Sequence, residues 1–418
     1  MIDRLSWLKV RDRDAFVRLT GVLFLVYMAT GLWSPLLAIY MRSLGAGTAQ
    51  IGLLFATYQA STLASQYWWG RFSDRLGRRR PLLLLGTAGL SAAYLGIAGT
   101  HQYSWLFIIR VIEGVALAAY STGSLALIGD LLEDQAGRGR LMGTYRTFGS
   151  LAFGIAALSG GWLADSFGQR VPLLAAAGCY ALACALSASI RERPADAPRE
   201  TPAAPADLGA ALPGDSRARR ALWSFLGLLF AWTFATGAVI PLWPVYMATR
   251  GYTQTAIGGL WALAALGEAP CMILAGHLAD RWGRKPIMLA GFVGMSMVFL
   301  AYALVPILPW ILGVQIVRSM SYASFEATAL LYATELGLRR QRGRLVGLYY
   351  SAGSLGGIAG SAAGGGVAQL AGLAHMFMSI VGFMLVTAAI VGKTMPRLRA
   401  PVIEPAGVPL VARAEDRR

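Results

Sequence analysis

Five ionisable side chains stand inside stretches that are otherwise apolar: Arg110 and Glu113, Glu268, and Arg318 and Glu326. In a lipid setting a charge costs about 2.5–3.5 kcal/mol on insertion scales, so it persists where it pairs, binds or exchanges a proton. Arg110 and Glu113 are three residues apart and share one face of a helix, where they can pair. A carboxylate beside an arginine can take up a proton according to its access to solvent; the two can equally form a static ion pair. Arg318 and Glu326 are eight residues apart, about 80° round a helix, and so answer to different partners. Glu268 has no charged partner near it in the sequence. That suits proton exchange or a polar or cationic ligand, with a structural hydrogen bond as the alternative.

The elements that must carry these residues follow from composition. Of 418 residues 56% are hydrophobic and only 14% charged, with a mean hydropathy of +0.54. Soluble domains carry about 25% charged residues, so the polar surface for a soluble enzyme of this length is missing. The apolar content excludes disorder, and the 50 glycines follow no collagen period. This composition specifies a polytopic membrane protein. The net charge of +16 does not imply a nucleic-acid partner, because the cations fall in short clusters between long apolar runs. Cys179, Cys184 and Cys271 lie in apolar segments and read as small core residues. The histidines at 101, 277 and 375 fit no metal pattern. Val391-Gly392-Lys393-Thr394 is not a phosphate loop, since Thr387 stands where the first glycine is required. No cofactor, metal or nucleotide is expected, and any transport would run on a gradient.

A membrane-crossing helix needs about 20 apolar residues. Twelve such runs occur, at 16–41, 50–72, 81–100, 103–132, 142–164, 171–190, 221–248, 255–279, 286–304, 308–336, 343–368 and 373–392, with no long β-pattern between them. The first reads as an uncleaved span and not as a removable signal peptide. Basic residues crowd the even-numbered loops: Arg71, Arg75, Arg78, Arg79 and Arg80; Arg138, Arg140 and Arg146; Arg281, Arg284 and Lys285; Arg339, Arg340, Arg342 and Arg344. The odd-numbered loops hold Arg42, Arg170 and Arg250. Positive residues mark the cytoplasmic side, which puts both termini and the middle loop there. Residues 191–220, with Pro194, Pro198, Pro202, Pro205 and Pro213, read as a flexible cytoplasmic linker. The expected organisation is a tail over 1–15, a six-helix half over 16–190, the linker, a second six-helix half over 221–392, and a tail over 393–418.

The two halves repeat each other. Offset by 206 positions (29 to 235), Ala29-Thr30-Gly31 meets Ala235-Thr236-Gly237, Pro35-Leu36 meets Pro241-Leu242, and Ile51-Gly52 meets Ile257-Gly258. In the same register Gly70, Asp74, Arg75, Gly77 and Arg78 meet Gly276, Asp280, Arg281, Gly283 and Arg284. Offset by 204 (139 to 343), Gly139-Arg140-Leu141 meets Gly343-Arg344-Leu345 and Gly149-Ser150-Leu151 meets Gly353-Ser354-Leu355. A duplicated membrane chain suggests alternating access, with two rocking halves and a site between them.

Gly70-Arg71-Phe72-Ser73-Asp74-Arg75-Leu76-Gly77-Arg78 and Gly276-His277-Leu278-Ala279-Asp280-Arg281-Trp282-Gly283-Arg284 both resemble the G-x-L-a-D-r-x-G-r motif of the major facilitator superfamily, in its usual two places. Gly161-Trp162-Leu163-Ala164-Asp165-Ser166-Phe167-Gly168 resembles the weaker echo after span five. The resemblance covers about 16–392 and implies twelve helices in two halves, with the motif as a cytoplasmic latch that favours the outward-facing state. From the residues themselves, Gly70 and Gly276 allow close helix packing, and Asp74 and Asp280 can meet an arginine or a helix N-terminus. A basic loop serving topology alone is the other reading.

Arg110-Val111-Ile112-Glu113-Gly114 is similar to the R-x-x-q-G pattern in span four of drug:proton antiporters, with glutamate for glutamine. Gly267-Glu268-Ala269-Pro270 looks like the eighth span of bacterial sugar efflux transporters. Arg146 stands where the lactose permease group carries a substrate-binding arginine, but lies within a turn of the basic loop and can simply snorkel. The span-five stretch Ala156-Ala157-Leu158-Ser159-Gly160-Gly161 lacks the glycine-proline pair usual in drug antiporters, so the direction of transport stays open. Aromatic residues cluster at Tyr58, Tyr67, Trp68 and Trp69, at Trp223, Trp232, Trp243 and Tyr246, and at Trp261. Belts and packing account for most; Trp232 and Trp261, away from the span ends, are the cavity candidates. The expectation is an inner-membrane, proton-coupled exporter of small drug-like or sugar compounds, working as a monomer, with no enzymatic activity. Proton symport for sugar uptake and a transport-inactive receptor on the same scaffold are the alternatives.

Overall fold

The computed structural model describes residues 13–132, 138–190, 216–304, 307–335 and 342–395. Every regular element among them is a helix: α1 Arg13–Trp33, α2 Leu37–Ser43, α3 Thr48–Leu76, α4 Arg80–Gly99, α5 Tyr103–Leu132, α6 Arg138–Phe167 and α7 Arg170–Ala188, then α8 Ser216–Val239, α9 Trp243–Thr249, α10 Gln254–Trp282, α11 Arg284–Leu304, α12 Leu308–Glu335, α13 Arg342–Ala371 and α14 Leu373–Thr394. The all-helical membrane fold expected from composition is the fold observed. Most of the expected linker lies outside the described residues, but its last part does not: α8 begins at Ser216, since arginine and alanine favour helix.

Runs 16–41 and 221–248, read as single spans, are each broken. α1 stops at Trp33 and α2 starts at Leu37; α8 stops at Val239 and α9 starts at Trp243. The matched prolines Pro35 and Pro241 lie in the two breaks, and a proline ring removes a hydrogen-bond donor and clashes with the preceding turn. Length and apolarity qualify nine helical stretches among the described residues to cross a membrane. The long helices α3, α12 and α13 fall outside that set because they carry the polar interior: Gln59 on α3, Gln315, Arg318, Ser319, Ser321, Ser324 and Glu326 on α12, and Ser354 and Ser361 on α13.

α1 packs on α6 and α7, α4 on α5 and α7, and α3 on α5; in the second set α8 packs on α13 and α14, α11 on α12 and α14, and α10 on α12. The two sets meet through α3 against α13 and α6 against α10, with α2 touching α9. Glycine makes these meetings tight at the end facing the odd-numbered loops. A Cβ on Gly52 would sit 2.3 Å from the Ser361 carbonyl oxygen, and one on Gly258 only 2.2 Å from that of Ala157. Thr48 Oγ1 donates to Gln369 Oε1 at 3.1 Å across the same end. At the opposite end a Cβ on Gly70, Gly143, Gly276 or Gly347 would meet nothing within 4 Å. Among the described residues, bonds inside one set are found there: Arg79 Nη1 donates to Ser73 Oγ at 2.5 Å, Arg80 to Ala188 O, and Lys285 Nζ to Gly392 O at 2.8 Å. The chain is closed at the odd-loop end and parted at the even-loop end.

Candidate functional site

A cavity of about 510 Å³ lies between the two sets of helices. Its walls include Phe55, Tyr58 and Gln59 of α3, Thr233 and Thr236 of α8, Trp261 of α10, Glu326 of α12, and Tyr349, Tyr350 and Ser354 of α13. Glu326 accepts a hydrogen bond from Trp232 Nε1 at 3.1 Å. The indole itself is buried and stacked on Phe325, ring centroids 4.0 Å apart and planes 11° from parallel. Trp232 therefore stands behind the cavity and aims a carboxylate into it, whereas Trp261 forms part of the wall.

A chamber of about 280 Å³ adjoins this cavity through Ile240 and Trp261, and Glu268, Arg318, Tyr322, Tyr27 and Ser150 line it. Helical spacing delivers this: Arg318 and Tyr322 are one turn apart on α12, Glu268 follows Trp261 by two turns on α10. The guanidinium of Arg318 lies 5.4 Å from the Trp261 ring centroid, a cation–π placement. Arg318 lies against the Trp261 ring, and Glu326 accepts from Trp232.

In the first set the Arg110–Glu113 pair forms at 2.6 Å and is buried, the side chains 0% and 1% exposed. Tyr94 Oη donates to the other carboxylate oxygen at 2.6 Å, and Arg110 Nε donates to Leu54 O at 3.4 Å. The guanidinium also lies over Tyr58, 4.1 Å from the centroid, and over Phe55, 5.0 Å away. Both rings line the cavity, so the pair sits one side chain behind its wall. Arg146 is exposed on α6 and lines neither the cavity nor the chamber. Gln59, Thr233, Thr236 and Ser354 also line the cavity, and they are neither charged nor aromatic, so charge and aromaticity do not mark them. Polar residues inside apolar spans are the signal that points to them; Gln59 Nε2 bonds Ser361 Oγ across the two sets at 2.9 Å.

Open space lies beside Gly70 and Gly276, the first residues of the paired loop motifs, in this conformation. Gly77, at φ +61°, and Gly283, at φ +90°, end α3 and α10, each donating its N–H back to the preceding turn. The close packing expected of Gly70 and Gly276 is absent, because the even-loop end has opened around them. Asp280 pairs with Arg284 at 2.5 Å, within its own loop, and Arg75, Arg78 and Arg281 are exposed. The side chain of Asp74 lies outside the described residues.

Among the described residues, the echo after span five is engaged across the two sets. Asp165, near the end of α6, accepts from Gln254 N at 3.1 Å, Thr255 N at 2.7 Å and Thr255 Oγ1 at 2.7 Å. Thr253 Oγ1 accepts from Ala256 N at 3.2 Å. Together they satisfy three of the N–H groups that the start of α10 leaves free, and a carboxylate there also meets the positive end of the helix dipole. This clamp joins the two sets at the closed end. Asp165→Ala is expected to weaken closure by about 1 kcal/mol, the usual worth of a capping oxygen. With Cys179, Cys184 and Cys271 replaced by alanine, labelling of Ser34→Cys in the cavity by a membrane-impermeant thiol reagent from the odd-loop side should then rise severalfold; an unchanged rate would remove the clamp from the gate.

Comparisons with known proteins agree with this architecture. The Major Facilitator Superfamily profile matches residues 19–337 and 233–413. The maltose permease of Geobacillus stearothermophilus is 30% identical over 340 residues, 79% of this chain and 82% of that protein. Multidrug resistance protein MdtG of Enterobacter lignolyticus (strain SCF1) is 28% identical over 398 residues, 91% of this chain and 92% of its own. Among solved structures, a mutant of the nucleoside transporter NupG superposes with a TM-score of 0.79 at 16% identity, covering 91% of this chain and all of that one (100%). A bacterial homologue of the human lysosomal transporter Spinster, in an inward-facing and unoccupied conformation, superposes with a TM-score of 0.72 at 17% identity, covering 91% and 97%. These relatives are transporters and not enzymes, and the chain accordingly belongs to the Major Facilitator Superfamily, as a multi-pass membrane transporter.

Proposed function

We propose that the chain is a proton-coupled exporter of small organic compounds that works by alternating access, with its cavity open to the cytoplasm in this structure. The observation that carries the reading is the cavity between two sets of helices, sealed by Gly52, Gly258 and Asp165 at one end and parted at the other, with Glu326 in its wall and Glu268 in the wall of the adjoining chamber. The arginine-rich even loops, with twelve spans when each broken pair is counted once, support a cytoplasmic position for both termini at the inner membrane. The two six-helix halves rock as units, the segment between α7 and α8 serves as a tether, and the monomer is the working unit.

The loop motifs at Asp74 and Asp280 fit a latch that forms when the cytoplasmic end closes, and the open space beside Gly70 and Gly276 here fits an inward-open state. Glu113, Glu268 and Glu326 are the proton-linked carboxylates, Arg110 and Arg318 their countercharges. The relatives supply the candidate cargo: drug-like compounds from the resistance proteins, sugars from the maltose permease. Uptake by symport is the second reading, favoured by the missing glycine-proline pair at Ala156-Ala157 and by the maltose permease relative. Proteoliposomes given an imposed pH gradient, with radiolabelled maltose, tetracycline, a fluoroquinolone and a nucleoside, test both. Accumulation inside everted vesicles supports export, accumulation in right-side-out vesicles supports symport, and no gradient-dependent movement of any of the four would reject the proposal.

A further inference from the structure

Behind Trp261, away from the central cavity, lies a third and much smaller chamber of about 10 Å³, room for one water-sized or monatomic body. It borders the cavity through Trp261 and the Glu268 chamber through Trp261 and Arg318. Donors predominate among the polar groups around it: Trp243, Gln315 and Arg318 supply N–H groups, and the Tyr302 hydroxyl supplies an acceptor oxygen. Trp243 Nε1 and Gln315 Nε2 are buried and have no hydrogen-bond partner, in side chains only 3% and 1% exposed. The guanidinium of Arg318 makes its resolved contact with a ring face. The oxygen of Gln315 is already engaged, accepting from Tyr302 Oη at 2.8 Å, which turns the amide so that its nitrogen is the free end.

Two orphaned buried donors are costly, about 1–3 kcal/mol each, and native structures rarely keep them so. A water would satisfy them as an acceptor but would bring two hydrogens of its own, for which the Tyr302 hydroxyl oxygen is one acceptor. A monatomic anion accepts from every side, and the Arg318 guanidinium, which also faces the Glu268 chamber, favours a negative charge there. We propose that this chamber is a binding site for a halide-sized anion, held by Trp243 Nε1, Gln315 Nε2 and Arg318. The site has a consequence for the substrate cavity, since an ion seated there fixes Trp261 and Arg318, which the cavity and the Glu268 chamber share. The proposal does not rest on the chain's transport activity.

The test is thermal unfolding of the purified, detergent-solubilised full chain in sodium chloride or sodium bromide against sodium gluconate at equal ionic strength. The expected result is a saturable rise of the midpoint by a few degrees in either halide, as for any ligand that binds only the folded state. Trp243→Phe keeps the ring and Gln315→Met keeps the volume, and each should abolish the halide increment. Should either variant fail to fold, bromide anomalous scattering from wild-type crystals reads the site directly, with a peak expected between Trp243 Nε1 and Gln315 Nε2. Equal midpoints in halide and gluconate, an increment that survives both substitutions, or a bromide peak only elsewhere would each overturn the assignment.

Discussion

In Glu268→Gln, gradient-driven accumulation is expected to fall at least about tenfold while exchange at equal pH stays within about twofold, because glutamine retains size and hydrogen bonding but cannot carry the proton. Glu268 lines a chamber that opens with the cavity, next to Arg318 and Tyr322. Rocking between states carries such a group from wet to dry surroundings and back, and a carboxylate that must shed its charge when dry couples proton movement to that step. Glu326 shares the wall but is held by Trp232 Nε1, so Glu326→Gln should cost less than Glu268→Gln in the same assay. Counterflow of the transported compound in proteoliposomes, with and without a pH difference, separates the two effects. Loss of exchange together with pumping in Glu268→Gln would make the acid a ligand for the substrate instead.

Arg110→Met should be the most destabilising single change in the molecule's interior, by about 3–5 kcal/mol, since it leaves the Glu113 carboxylate buried without its cation. Tyr94 alone would then face that charge. The double variant Arg110→Met/Glu113→Leu removes both charges and should recover most of the thermal midpoint, because well-packed apolar pairs commonly replace buried ion pairs at little cost. Transport decides what the pair is for. A stable double variant that no longer pumps assigns the pair to coupling, and one that pumps normally leaves it a structural ion pair.

Much of this architecture is legible in the residues. Apolar run length and the placement of arginine specify a helical membrane chain, and the repeat across Gly70 to Arg78 and Gly276 to Arg284 specifies two halves. The spacing of Arg110 and Glu113 predicts the buried pair that forms. Three features were less legible, each for a physical reason. Pro35 and Pro241 break their spans, yet a proline-bearing apolar run still reads as one stretch by hydropathy. Trp232 lies away from the span ends like Trp261, but which indole reaches the cavity depends on the rotation of α8 against α12, which sequence distance does not encode. Gln59, Thr233, Thr236 and Ser354 carry no charge, so a survey of ionisable groups misses them although they shape the wall. The engaged Asp165 is the reverse case: its motif was the weakest of the three copies, and the conformation, not the sequence, determines which copy is closed.

Alternating access requires that the two ends of the molecule change in opposite senses, and one pair of distances reads this. Spin labels on Thr48→Cys and Gln369→Cys report the odd-loop end, where those residues are bonded across the two sets. Labels on Thr147→Cys and His277→Cys, exposed on α6 and α10 near the even-loop end, report the other. Both pairs are measured by double electron–electron resonance in nanodiscs as pH is stepped and a transported compound is added. The expected result is a longer Thr48–Gln369 distance accompanied by a shorter Thr147–His277 distance under the same condition. Two distances that stay fixed, or that lengthen together, across every condition in which the protein transports would contradict alternating access by these halves.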